Sequence, residues 1–119
     1  PTWDIELLES LFQMLCDTAP EAHALWTNKQ VVPLHLPGRQ EPWASVQTKK
    51  LDAVYLHLTG PKHRFTQGQI RDLGHAPELD GDRPDTDVIH LRFRDKSDLD
   101  RGDLRSFLAE HLAAVNDLA

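Results

Sequence analysis

The feature that most constrains the fold is a set of four short stretches in which apolar and polar residues alternate. They lie at residues 31–36, 43–49, 53–59 and 87–94. Alternation with a period of two is typical of strands that bury only one face. The first three stretches have short connections, which favours an antiparallel meander. Pro33 cannot donate a ladder hydrogen bond, so we predict the first strand at an edge of the sheet.

Helical patterns flank these strands. Thr2 is a candidate N-cap for a first helix, whose apolar positions are Leu8, Leu11, Phe12 and Leu15, with Cys16 predicted to be buried beside them. We predict a second short helix over residues 20–26, a third over 67–73, and a last one over 103–118 with Leu104, Phe107, Leu108, Leu112 and Val115 on one stripe. The element order is α-α-β-β-β-α-β-α. Because amphipathic helices need an apolar sheet face to cover, we predict an α+β two-layer sandwich with helices on one face of an open, mainly antiparallel four-stranded sheet.

Length and composition narrow the class of protein. The 119 residues suit a single domain, residues 1–119, and a start at Pro1 instead of Met predicts that this domain is excised from a longer protein. No apolar run approaches the ~20 residues of a membrane span, so we expect no membrane partner and a cytoplasmic location. Only one cysteine occurs, which excludes a disulfide within the monomer.

Charge is unevenly distributed along the chain. The net charge of −6 argues mildly against nonspecific binding of nucleic acid. Residues 1–28 carry five acids and no base, residues 43–71 carry five bases and one acid, and residues 72–87 carry six acids and one base. The middle segment is therefore a candidate surface for an anionic partner, and residues 78–87 are predicted to form an exposed acidic loop.

The predicted open face of the sheet is polar and carries the candidate binding residues. Together with the basic turn after the third strand, these are Lys49, Tyr55, His57, Lys62, Arg64, His90, Arg92 and Arg94. Trp43, at the start of the second strand, is a second aromatic candidate on this face. One interpretation is a face that binds DNA or another anion, with Lys62 and Arg64 joining Lys49 and Lys50 in one cationic rim. Another is a polar face covered by solvent or by a protein partner.

Histidines in three separate strands raise a metal-binding alternative. His35, His57 and His90 are the candidate ligands, because side chains on neighbouring strands lie close enough to share an ion. No carboxylate is expected on the same face to orient the rings. We therefore predict no metal and no cofactor. The sequence also lacks the Gly-x-Ser-x-Gly, His-Glu-x-x-His and phosphate-loop motifs, so we predict no catalytic residues and no enzymatic activity.

Several short motifs form a familiar pattern. They are Gln47-Thr48-Lys49-Lys50-Leu51-Asp52, Leu58-Thr59-Gly60-Pro61-Lys62-His63-Arg64-Phe65, Leu73-Gly74, Leu91-Arg92-Phe93 and Leu108-Ala109-Glu110-His111-Leu112. With them, residues 26–115 resemble a region appended to the C-terminal end of proteins similar to the ATPase subunit of excinuclease ABC, the nucleotide excision repair enzyme. We call these proteins excinuclease ATPase-like. Walker motifs and cysteine pairs do not occur in this chain, so the ATPase activity is not carried over.

The resemblance implies a non-catalytic accessory domain that takes part in DNA repair. Its candidate partners are DNA, the parent ATPase core and other excinuclease subunits. Two alternatives stay open at this point. One is a protein–protein interaction module without a nucleic-acid role, and the other is a small-ligand or metal-binding domain that uses the histidine-bearing face.

Overall fold

The architecture is an α+β fold with an open antiparallel sheet, seen in a computed structural model that describes residues 2–26 and 30–117. In chain order the elements are α1 (Ile5–Thr18), β1 (His23–Ala24), β2 (Val31–His35), β3 (Ala44–Gln47), β4 (Val54–Pro61), α2 (Gln67–Ile70), β5 (His75–Asp80), β6 (Thr86–Phe93), a 3₁₀ helix (Lys96–Asp100) and α3 (Leu104–Asn116). The strands follow the order β1-β2-β3-β4-β6-β5. The predicted class is confirmed, but the four-stranded sheet and the predicted element order are wrong in detail.

The segment predicted as a second helix is instead the first strand. The helical path breaks after Ala19, and residues 23 and 24 then run antiparallel to β2, with His23 opposite His35. The prediction that β2 is an edge strand is therefore wrong, since β1 lies on one side of it and β3 on the other. Pro33 is tolerated there because β1 is only two residues long. The Pro33 carbonyl accepts a hydrogen bond from the Leu25 backbone N–H at 3.0 Å.

The predicted acidic loop is partly a strand. Residues 75–80 form β5, the edge strand beside β6. The pairing is irregular between His75 and Glu78, where Ala76 has a φ of +46°. The side-chain amide of Gln67 donates to the Pro77 carbonyl at 2.9 Å and accepts from the Leu79 N–H at 3.0 Å. This one side chain from α2 thus satisfies part of the open edge.

The core lies between the sheet and the helices. It joins inward residues of the strands to one face each of α1 and α3, including Leu56, Leu58, Ile89, Leu91, Leu7, Leu11, Met14, Leu15, Leu104, Phe107 and Leu108. Trp43 is 1% exposed, so its predicted place on the open face is wrong. Its indole N–H donates to His111 Nδ1 at 2.9 Å, and this hydrogen bond satisfies the polar end of the buried aromatic ring.

The first helix begins later than predicted, and the face that it buries differs from the predicted face. Asp4, and not Thr2, is the N-cap, and its carboxylate accepts from the Leu7 N–H at 2.9 Å. Leu7 and Met14 join the core, and Cys16 is exposed, contrary to the prediction that it is buried. The predicted end of α3 at Leu118 lies outside the described residues. None of the helices within residues 2–26 and 30–117 has the length and apolar character needed to cross a membrane.

Candidate functional site

A chain of polar side chains crosses the open face of the sheet over four adjacent strands. Gln47 on β3 contacts His57 on β4 (Nε2 to Nδ1, 2.9 Å), and His57 contacts His90 on β6 (Nε2 to Nδ1, 3.1 Å). His90 Nε2 then lies 3.6 Å from Asp80 Oδ2 on β5. The strand register produces this arrangement because His57 and His90 are direct cross-strand partners.

His57 is neutral at physiological pH. Its pKa is lowered to about 4, chiefly by burial and further by the neighbouring His90, Lys49 and Arg83. A neutral imidazole donates from one ring nitrogen and accepts at the other. When the Gln47 amide donates to Nδ1 of His57, the Nε2–H of His57 donates to His90, and the remaining N–H of His90 points toward Asp80. The two rings are thereby ordered by their neighbours on both sides.

Asp80 corrects the expectation that no carboxylate lies on this face. The Asp82 backbone N–H donates to Asp80 Oδ1 at 3.0 Å, and this bond, followed by the proximity of His90, holds the pKa of Asp80 below its ordinary value. The carboxylate is therefore ionised at neutral pH. Sequence reasoning misses it because residues 78–87 are predicted as a loop, and a loop has no defined face.

The three predicted histidine ligands do not converge. His57 and His90 are in contact, with ring centroids 4.2 Å apart, but His35 lies on β2 opposite His23. β3 separates β2 from β4, which keeps His35 away from the His57–His90 pair. Across the described ranges 2–26 and 30–117, no group of three or more His, Cys, Asp or Glu side chains is arranged to hold a metal ion.

Basic and aromatic candidates collect at the end of the face where β4 begins. Tyr55 and Arg92 are cross-strand partners, and the Arg92 guanidinium carbon lies 5.2 Å from the centre of the Tyr55 ring. A polar cavity of about 700 Å³ lies there, and its charged lining combines Arg92 and Arg94 with the acids Asp52 and Asp95. Lys49, just before β4, is exposed. Lys49, Tyr55 and Arg92 form one basic and aromatic corner of the open face.

Lys62 and Arg64 lie elsewhere, so the predicted single cationic rim is wrong. They follow the end of β4, whereas Lys49 precedes its start, and eight strand residues span about 26 Å. Lys62 Nζ lies 3.1 Å from Asp87 Oδ1, and Arg64 lies 3.3 Å from Glu110. Both cations are thus already paired with acids of this chain.

The outer face of α1 is a second candidate site, one that the sequence analysis does not identify. Ile5 is 60% exposed and Trp26 is 64% exposed, and with Leu8, Phe12 and Cys16 they line a shallow groove of about 510 Å³. The Phe12 and Trp26 rings are 4.9 Å apart. The signal in the sequence is the spacing 5, 8, 12 and 16, a second apolar stripe beside the one that packs in the core. We call this surface the α1 groove.

Comparison with known proteins adds no assignment. Protein-family models, curated proteins and solved structures were compared with the chain, and none matches it. The similarity to the appended region of excinuclease ATPase-like proteins therefore stays a prediction.

Proposed function

We propose that this chain is a non-catalytic accessory domain of an excinuclease ATPase-like protein in the cytoplasm, and that it binds the parent ATPase core through the α1 groove. The observation that carries the proposal is the groove itself. Most apolar side chains of the described residues are buried, yet Ile5 and Trp26 are largely exposed and adjoin Phe12 and Leu8. Contiguous exposed apolar surface of this kind marks interaction sites in soluble domains.

The ion pairs of the chain favour a protein partner over a nucleic acid. Phosphate binding relies on cations that are free to replace counterions. Three of the predicted DNA-contacting cations, Lys62, Arg64 and Arg94, lie within 4.0 Å of acids of this chain. Glu78 and Asp80 also line the β5 side of the open face, opposite His90 and Val88. Their negative charge repels a phosphate backbone along that edge.

Removing exposed apolar side chains from the groove should disrupt the complex with the parent ATPase core. We expect the double variant Ile5→Ser/Trp26→Ala to bind the core at least tenfold more weakly in a nuclease-treated pull-down, because the lost contacts are apolar. Both side chains are mostly exposed, so the fold should persist.

Leu51→Ser is the matched control. Leu51 is 71% exposed but lies outside the groove. Leu51→Ser therefore tests whether the loss of any exposed apolar side chain weakens binding. A core that fails to bind the wild-type chain, or that binds both variants equally well, would refute the proposal.

DNA contact through the corner formed by Lys49, Tyr55 and Arg92 is a second candidate function. The specific observation in its favour is that, within the described residues, no acid lies within ion-pair distance of Lys49 or Arg92. Tyr55 adds an aromatic ring beside them, and base–aromatic stacking contributes to single-strand binding.

Fluorescence anisotropy with labelled single-stranded, duplex and bubble DNA tests this candidate. We expect saturable binding at about 50 mM salt that weakens steeply at about 200 mM. In Lys49→Ala/Arg92→Gln, the slope of log affinity against log salt concentration should fall by the equivalent of about two phosphate contacts. Arg105→Ala is the control, since Arg105 is an exposed cation on α3, in the helix layer that covers the other face of the sheet. Affinity unchanged by the double substitution would eliminate the corner as a DNA site.

A further inference from the structure

We infer that the α1 groove receives an amphipathic helix whose apolar stripe is flanked by basic residues. This inference rests on the proposed function and specifies the chemistry of the partner. The groove positions Ile5, Leu8, Phe12 and Cys16 extend over about three turns of α1. Ile5 and Cys16 are exposed, whereas Leu8 and Phe12 are partly buried and pack on the edge of the core. Surfaces of this shape bind helices that present apolar anchors at the same spacing.

The walls of the groove differ in chemistry. Trp26 stacks against Phe12 and provides an apolar wall, whereas Glu9 and Gln13 line the groove as polar residues. At 100° per residue, Glu6, Glu9, Gln13 and Asp17 follow one another on the same side of the apolar stripe. We call this row the acidic edge.

The charge of the acidic edge selects the partner. α1 contains three acids and no base, and among the described residues only Asp17 of these acids has an ion pair, with Arg105 at 3.5 Å. Glu6 and Glu9 are exposed and lack a cationic partner within residues 2–26 and 30–117. A second copy of this chain would bring a like-charged edge against this one. A helix with Lys or Arg beside its apolar stripe would instead neutralise it.

Cys16 provides a reporter inside the groove. It is the single cysteine, it is exposed, and it lines the groove, so its alkylation by a maleimide measures whether the groove is covered. The probes are three 14-residue peptides with the same leucine stripe. One has lysine flanks, one has glutamate flanks, and one has lysine flanks and two central prolines that prevent a helix.

We expect the lysine-flanked helix to slow alkylation of Cys16 at least tenfold at saturation. The apparent dissociation constant of this peptide, measured from the protection, should rise with salt concentration. The glutamate-flanked and proline-containing peptides should protect poorly. In the Glu6→Lys/Glu9→Lys variant the preference should invert, so that the glutamate-flanked helix protects better. A Cys16→Ser/Ser45→Cys protein, with its thiol on the open sheet face, should be alkylated at the same rate with and without peptide.

The other outcomes overturn the inference in distinguishable ways. If the lysine- and glutamate-flanked helices protected Cys16 equally, and Ile5→Ser/Trp26→Ala abolished that protection, the inferred basic character of the partner would be wrong. The groove would still be a protein-binding site. Protection by increasing concentrations of the chain itself would identify a second copy as the occupant. Protection by none of the peptides would reject a helix as the occupant, and combined with equal pull-down of wild type and Ile5→Ser/Trp26→Ala it would reject the proposed function as well.

Discussion

Replacing Lys62 by methionine should lower the free energy of unfolding by about 2 kcal/mol, because it leaves a carboxylate that is mostly shielded from water without its cation. Asp87 is 7% exposed, and Lys62 is its only ion-pair partner among the described residues. The ammonium group also donates to the carbonyls of Gly81 and Arg83, and so ties the β5–β6 loop to the end of β4. Methionine keeps most of the aliphatic length and removes only the charge and these donors.

The ionisation of Asp87 makes the loss severe. Burial acts to raise the pKa of this carboxyl, but the His63 backbone N–H, at 2.9 Å, and the Lys62 ammonium outweigh it and hold that pKa below its ordinary value. Asp87 is therefore charged at pH 7, and in Lys62→Met the His63 N–H would be its one remaining hydrogen-bond donor among the described residues.

Urea denaturation at pH 7 measures the effect as a lower midpoint at an unchanged slope. The double variant Lys62→Met/Asp87→Asn should recover much of the loss, because an asparagine oxygen still accepts from His63 and carries no charge. Lys49→Met, at an exposed lysine with no acid in ion-pair range among the described residues, should change stability by no more than about 0.5 kcal/mol. A Lys62→Met protein as stable as the wild type would show that the ion pair does not stabilise the fold. Because Lys62 is also a predicted DNA contact, these urea titrations also show whether a Lys62 variant that binds DNA weakly does so because its fold is destabilised.

Local pattern is sufficient to predict the central strands and the last helix. Leu56 and Leu58 on β4, and Ile89 and Leu91 on β6, alternate without interruption, and all four are buried as the period of two requires. The two additional strands are not predictable in this way. β1 is too short to show a period, and the alternation of β5 is interrupted by Ala76 and Pro77.

The candidate sites depend on information that the sequence does not express locally. The contact between His57 and His90 requires β6 to lie between β4 and β5, an order that skips a strand along the chain. The α1 groove depends on which of two overlapping apolar stripes turns inward, and residues 5, 8, 12 and 16 compete with 7, 11, 14 and 15. Tertiary packing decides that competition, because the two stripes adjoin and form one apolar arc that is wider than the face that α1 buries.

Lowering the pH from 7 to 5 should destabilise the protein by about 2 kcal/mol through His111 alone. His111 is fully buried, its Nδ1 accepts the Trp43 indole N–H, and its ring stacks on Phe65 with centroids 5.2 Å apart. Burial lowers its pKa from 6.5 to about 4, with a smaller contribution from Arg64. The unfolded chain therefore binds a proton more readily than the folded one between these two values. Stability is fully present above the unfolded pKa and is lost as the pH falls toward the folded pKa.

His111→Gln isolates this contribution. Glutamine carries an oxygen that accepts from the Trp43 indole, but it does not titrate, so the free energy of unfolding of the variant should change by about 2 kcal/mol less than that of the wild type between pH 7 and pH 5. The variant's own stability at pH 7 does not enter the comparison, because the readout is the dependence on pH in urea titrations. His57→Gln serves as the comparison at a half-buried site, where solvent screening makes the effect smaller. If His111→Gln kept the full pH dependence of the wild type, the acid sensitivity would have to come from other groups, and a neutral buried His111 would not be its cause.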